Sequence, residues 1–114
     1  MIVLVCGSRT WRDADRIRFK LRELPRGTVI IHGGARGADR IAAEIAHALG
    51  LEERPYLPDW DTHGKRAGMV RNVAMLDANP DKVLAFWDGA STGTAHTIKG
   101  ARERGIPVDI TLGV

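Results

Sequence analysis

Three glycines fall within five residues in Gly33-Gly34-Ala35-Arg36-Gly37, directly after the apolar run Val29-Ile30-Ile31 and directly before an amphipathic segment that opens at Ala38-Asp39. Lacking a Cβ, glycine lets backbone N–H groups approach a ligand and takes positive φ at little cost. The first N–H groups of a helix have no intrahelical partner, and the helix start carries roughly half a positive charge. A strand that turns through glycines into a helix start is therefore expected to hold an anion, most often a phosphate. The turn is not a P-loop, since it has no Gly-Lys-Ser/Thr, nor is it the usual dinucleotide fingerprint, which follows the first strand with another spacing. Arg36 either reaches back to a phosphate as a fork-shaped donor or is solvated in the loop. Asp39 reads as a cap of the helix rather than a ligand contact.

A second set of small polar residues, Ser91-Thr92-Gly93-Thr94, offers hydroxyls and N–H groups at another helix start, either for a phosphate or ribose or as plain capping. Gly7 and Ser8 are candidates to line the same cleft, with Arg9 crossing to a phosphate or an acid. Arg71 supplies a charge and Asn72 both a donor and an acceptor early on a later helix, unless they are simply its polar face. Trp60 and Trp87 could stack on a base, with Trp87 equally suited to the core. His63 and His96 are either acid–base groups or surface residues. His32, at the end of an apolar strand, reads as a buried and satisfied histidine, and Cys6 as a core thiol. No metal-ligand spacing occurs, so neither a metal nor a cofactor is expected.

These residues need elements to hold them, and the sequence supplies an alternation. Residues 2–6 are a continuous apolar run, the mark of a strand buried on both faces. Residues 13–24 carry Ile17, Leu21 and Leu24 on one helical face, with Asp13 as N-cap. Residues 28–32 form a second strand. Ala38, Ile41, Ala42, Ile45, Ala48 and Leu49 mark a helix closed by Gly50. Residues 52–57 read as a strand near an edge, because Pro55 lies inside it. Residues 58–68 read as a polar loop, and 69–78 as a helix with Met69, Val73 and Leu76 on one face. Residues 82–87 form a fourth strand, 94–104 a helix closed by Gly105, and 106–111 a last strand. Five strands and four helices in alternation predict an α/β fold: a single Rossmann-like, doubly wound parallel sheet over residues 1–114. In such a sheet the loops Gly7–Thr10, Gly33–Asp39 and Asp88–Thr94 share the carboxyl edge, where ligands bind at the switch in strand order.

The totals narrow the class. The 114 residues suffice for one core. Apolar residues make up 44% and charged residues 27%, as in an ordinary globular protein. No segment approaches the ~18–20 apolar residues of a membrane helix, and no basic region precedes the first apolar run as in a secretory signal. A single cysteine allows no intrachain disulfide, which fits a cytoplasmic location. The net charge of +3 is spread among interleaved acids, so solvated helix faces explain it better than a nucleic-acid footprint.

Cys6-Gly7-Ser8-Arg9, Gly33-Gly34-Ala35-Arg36-Gly37-Ala38-Asp39, Arg71-Asn72 and Gly93-Thr94 come in an order that resembles the SLOG superfamily, which includes DprA, the LOG phosphoribohydrolases and nucleotide-sensing domains. Over essentially the whole chain the resemblance is greatest to its short, stand-alone YspA-like branch. It implies a Rossmann-like fold, a nucleotide or nucleotide-derived ligand, and a dimer or higher homo-oligomer through helices beside the site, with Trp11 and Trp60 to be covered. The arginine of the LOG pattern matches Arg71 and its Gly-Thr matches Gly93-Thr94. Its lysine becomes Asn72, and its catalytic glutamate falls at Thr97, which cannot act as a carboxylate.

The resulting expectation is a binding module. Gly7, Ser8, Arg9, Gly33, Gly34, Ala35, Arg36, Gly37, Arg71, Asn72, Asp88, Ser91, Thr92, Gly93 and Thr94 would hold an ADP-ribose-like ligand or nucleoside phosphate, in a sensor or sequestering role. The alternative is a LOG-like nucleotide hydrolase in which Arg71 steadies the phosphate and Asp88 or His96 is the acid–base group. DprA-like single-strand binding is less favoured, because aromatic residues make up only 5% of the chain.

Overall fold

Val3 and Val5 point to one face of the first strand and Leu4 and Cys6 to the other, and all four are buried. A strand buried on both faces needs a layer on each side, and the computed structural model, which describes residues 1–113, supplies both. The strands are β1 (Ile2–Gly7), β2 (Val29–His32), β3 (Glu52–Pro55), β4 (Lys82–Trp87) and β5 (Val108–Leu112). They form one parallel sheet in the order β3-β2-β1-β4-β5. Helices α1 (Ala14–Arg22) and α2 (Ala38–Ala48) pack on the Val3/Val5 face, together with Trp11 and Phe86. Helices α4 (Ala67–Asp77) and α5 (Thr92–Glu103) cover the Leu4/Cys6 face through Met75, Leu76, Ile98 and Ala101. This is the doubly wound arrangement expected, and its switch in strand order lies between β1 and β4.

Local signals explain the element ends. Asp13 caps α1 by accepting from the Arg16 N–H at 3.2 Å. β3 is an edge strand, consistent with Pro55 inside it. The segment read as a polar loop contains a further short helix, α3 (Trp60–His63), and a 3₁₀ turn at Gly64–Arg66. Asp59 starts α3 by accepting from the Thr62 N–H and hydroxyl, a cap that a single turn of helix gives too little periodicity to reveal.

Two expectations about burial are corrected. Trp11 is 1% exposed and meets Phe86 edge-on at 5.6 Å between ring centroids, so it is core rather than a surface awaiting a partner. Its indole N–H donates to the Asp13 carbonyl, which satisfies its polar end. On α4 the buried face is Ala67, Asn72, Met75 and Leu76, whereas Met69 and Val73 are exposed. Asn72 takes a place on the buried face, with Nδ2 turned toward the Gly93 carbonyl and His96. Among the described residues no helix is long and apolar enough to cross a membrane.

The start of α2 lies close against the loop that follows β1. Gly37 takes φ +76° and ψ −125°, a glycine conformation, and a Cβ there would collide with the carbonyl oxygens of Ser8 and Arg9. Gly50, beyond the end of α2, also has positive φ, but a Cβ there would meet open space. Gly37→Ala is therefore expected to cost at least about 3 kcal/mol, from strain and collision together. Gly50→Ala should cost about 1 kcal/mol, from backbone strain alone. Urea unfolding of the two variants checks the difference.

Candidate functional site

Ser8 gathers the three loops at the carboxyl edge. Its N–H donates to the Phe86 carbonyl at 2.9 Å, its carbonyl accepts from Ala38 N–H at 3.2 Å and Trp11 N–H at 3.1 Å, and its hydroxyl accepts from Asp88 N–H at 2.9 Å. One buried residue thereby ties β1 to the start of α2 and to the loop after β4. The loops converge as the sequence predicts, although Ser8 itself is a structural junction with 1% exposure.

The glycine turn is occupied by its own chain. Asp39 folds back from the first turn of α2, and its Oδ2 accepts from the N–H groups of Gly33 at 3.0 Å and Ala35 at 3.2 Å. Gly34 N–H donates to His32 Nδ1 at 3.0 Å, and His32 Nε2 lies 2.6 Å from Glu53 Oε1. His32 is thus buried and satisfied, as its position in the strand predicts. Asp39 is not the N-cap, which is Gly37. A carboxylate of the protein sits where the sequence led us to expect a phosphate.

Arg71 closes the same turn from α4. Its Nη1 donates to the Gly33 carbonyl at 2.6 Å, and its Nε to Asn72 Oδ1 at 2.9 Å. A Cβ on Gly33 would run into this guanidinium, so Gly33 is glycine to admit Arg71. Asn72 reaches on to α5, with Nδ2 3.5 Å from the Gly93 carbonyl and 3.4 Å from His96 Nδ1. Burial pushes the Asp39 carboxyl above the usual carboxylate range; the Ala35 N–H, His32, Arg71 and the Gly33 N–H oppose that shift. Burial likewise lowers Arg71, with Asp39 opposing and the nearby Arg9 adding to the effect.

Between α4 and α5 lies a cleft of about 460 Å³. Of the candidate residues it is lined by Gly7, Arg9, Ala35, Arg71, Asn72, Ser91, Thr92, Gly93 and Thr94, with Cys6, Asp39, Lys65, Met75 and Thr97 deeper or beside them, and Trp60 and Met69 at its mouth. Gly33, Gly34 and Ser8 lie behind the wall, and Arg36 and Gly37 face a neighbouring hollow. Asp88 does not line the cleft. Its carboxylate accepts from Ala90 N–H at 2.9 Å and Ser91 N–H at 2.8 Å, which hold it below the usual carboxylate range.

The start of α5 is the open counterpart of the filled glycine turn. Ser91 is the N-cap residue but makes no side-chain cap bond, its hydroxyl pairing instead with Thr94 Oγ1 at 3.2 Å. Thr92 and Gly93 are exposed. Arg9, Lys65 and Arg71 line the same cleft, and its one carboxylate is Asp39. Lys65 and Thr97 did not emerge as site residues from sequence; Lys65 is brought in by the 3₁₀ turn, and Thr97 lies one turn beyond Gly93, donating to its carbonyl. Cys6 forms part of the floor, its thiol pushed up by burial and by Asp39. Among the described residues no group of three His, Cys, Asp or Glu side chains is placed to hold a metal.

Comparison with known proteins supports the fold and identifies the family. Residues 1–63 match the YspA, cpYpsA-related SLOG family (YAcAr). The Gene 61 protein of Mycobacterium phage D29 is 44% identical over 115 residues, covering 93% of this chain and 92% of that protein. The X-ray structure of TM1055 superposes with a TM-score of 0.70 at 22% identity, over 94% of this chain and 71% of the other, which is a likeness of fold. The chain belongs to the YspA, cpYpsA-related SLOG family, a membership that suggests a nucleotide-related function.

The buried Asp39 gives the fold a pH signature. Its carboxyl is raised in the folded chain, so between the unfolded value and the folded one the native state holds the extra proton. Stability contributed by Asp39 is then greatest in acid and falls as pH rises through that window. Asp88 and Asp59 are lowered and act in the opposite sense, at pH below the ordinary value. The difference in unfolding free energy between the protein and Asp39→Asn is therefore expected to shrink as pH is raised from 4 toward 7, measured by urea titration. Removing the Arg71 guanidinium leaves the buried Gly33 carbonyl without that donor, and Arg71→Ala should cost about 1–3 kcal/mol in the same assay.

Proposed function

We propose that this chain binds a nucleotide or nucleotide-derived small molecule at the carboxyl edge of its sheet, as a sensing or sequestering module. The observation that carries this reading is the uncapped start of α5, which opens into one cleft with Arg9, Lys65 and Arg71. A helix start and fixed cations on one concave surface favour a phosphate. Trp60 and Met69, 54% and 55% exposed at the mouth, offer an apolar surface for a base. Thr92 and Ser91 hydroxyls suit the ribose and phosphate oxygens, and the phosphate belongs at Ser91–Thr94 rather than in the glycine turn.

Binding fits the cleft better than hydrolysis. Cleavage of an N-glycosidic bond calls for a carboxylate at the reacting sugar. LOG-type phosphoribohydrolases carry glutamate at the position of Thr97, whose hydroxyl here donates to the Gly93 carbonyl. Asp39 is the one carboxylate in the cleft, and two N–H groups of the glycine turn already bond to it. Asp88 holds its own turn, and His96 lies beside Asn72.

The test separates fold from function. A Cβ at Gly93 would meet no atom within 4 Å, so Gly93→Asp is accommodated. A carboxylate in the first turn of α5 also favours the helix. It places a negative charge where the ligand's phosphate is expected. Adenosine monophosphate, NAD, and linear and cyclic ADP-ribose are titrated against both proteins, and the retained and free small molecules are identified by mass spectrometry. A bound ligand at 100 times its Kd adds about 2.7 kcal/mol, a rise in Tm on the order of 10 °C for a chain of this size. The expected result is one compound retained intact by the native chain and at least about tenfold weaker binding to Gly93→Asp, with the Tm of the free protein unchanged or raised. No shift with any nucleotide would refute the reading, and release of free base would turn it into a hydrolase.

A further inference from the structure

Arg9 lines two hollows. Besides the central cleft it borders a second, of about 540 Å³, on the α2 side of the loop after β1. There Arg9, Arg12, Arg36 and Arg40 stand around one concavity whose single acid is Glu44. All four arginines are exposed, and among the described residues none is ion-paired. Elsewhere arginines on this surface do find partners: Arg16 with Asp13, Arg18 with Asp15, Arg54 with Glu52 and Arg104 with Asp77. Like charges around a common hollow repel, and Glu44 is the one carboxylate lining it. The ridge between the hollows is thin, being the backbone of Ser8 and Arg9 laid directly on Gly37. The charge of Arg9 also reaches Arg71 on the far side.

We propose that the arginine hollow is a second anion subsite of the central cleft, so that the ligand is a small nucleotide carrying two separated phosphate groups. One phosphate lies at the start of α5, the other among Arg12, Arg36 and Arg40, and Arg9 spans the ridge between them. This rests on the nucleotide reading of the central cleft and narrows it. Guanidinium forks grip phosphate oxygens in pairs and hold their charge at any physiological pH. The second phosphate can come from the 2′-phosphate of a phosphorylated dinucleotide or from a nucleoside phosphorylated at both the 3′ and 5′ positions. A single nucleic-acid strand is less suited, because Trp11 beneath the hollow is buried and offers no stacking face.

Arg12 and Arg40 make no ion pair, so the double variant Arg12→Ala/Arg40→Ala is expected to fold, which its Tm verifies. Calorimetric titration compares it with the native chain and with Gly93→Asp, using adenosine monophosphate, NADP, adenosine 3′,5′-bisphosphate, inorganic pyrophosphate and a ten-nucleotide oligothymidylate. The expected result is that the double variant binds the monophosphate within twofold of native while losing about tenfold or more for NADP or the bisphosphate; whichever of the two is affected identifies the source of the second phosphate. Losses below twofold for every probe overturn the subsite. An oligothymidylate that binds more tightly than any small nucleotide, with steep salt dependence and loss in the double variant, overturns the small ligand in favour of a strand. If the native chain binds no nucleotide, the function reading fails and the linked-ligand proposal with it. Pyrophosphate binding lost in the double variant but kept in Gly93→Asp would then locate an anion site independent of the central cleft.

Discussion

A carboxylate buried beneath a glycine turn is the interaction on which the carboxyl edge of this sheet depends. Asp39 is 6% exposed, and an ionised carboxyl out of water is tolerated only with donors around it. The chain provides them by bending Gly33–Ala35 around Oδ2, with Arg71 and His32 as the neighbouring charged or chargeable groups. That bend dictates much else. It requires Gly37 to lie against the Ser8 and Arg9 carbonyls, and Gly33 to be small enough for the Arg71 guanidinium to pass. It commits two donors of Arg71, to Gly33 and to Asn72, before any ligand arrives.

Two helix starts meet at this edge, and they differ at one equivalent position. The second residue of α2 is Asp39; the second residue of α5 is Gly93. At α2 the side chain returns to fill the anion position, and the Ser8 carbonyl takes the first N–H of the helix. At α5 no side chain returns, and the helix start stays available to the cleft. Both follow a strand and a run of small residues, so both look like phosphate loops. The difference lies in whether the chain supplies its own anion, and that decides which of the two can receive a foreign one.

The fold was legible from the sequence because it rests on strong, local periodicities. Continuous apolar runs at residues 2–6 and 83–87, and the Ile17/Leu21 and Ala42/Ile45 spacings, leave little choice but strands and helices in alternation. Edge placement of the third strand followed from Pro55. What was not legible depends on contacts between residues far apart in sequence. Trp11 follows a polar turn and reads as a surface residue, yet Phe86 from β4 makes it core. Met69 and Val73 read as the buried stripe of α4, yet the helix buries Asn72 and Met75 in their place. The candidate site was legible as a place, since nine of its proposed ligand residues do line the cleft. The roles of Asp39 and Arg71 were not, because a carboxylate six residues from Gly33 and an arginine thirty-eight residues away show no pattern that distinguishes holding a turn from holding a ligand.

The same contacts bear on how the cleft treats what it holds. A hydrolase needs a group free to trade a proton or attack at the reacting atom, with a pKa near its working range. The ionisable groups nearest the glycine turn are tied to neighbours: Asp39 to backbone N–H groups, His32 to Gly34 and Glu53, and Arg71 to the Gly33 carbonyl. Such bonds stiffen a wall and fix its charge, which serves recognition, because a rigid surface loses little entropy when a ligand docks. Arg9, Lys65 and the Thr92 hydroxyl line the cleft as hydrogen-bond donors. On the proposed reading, such a wall would receive an anion without supplying a group to react with it.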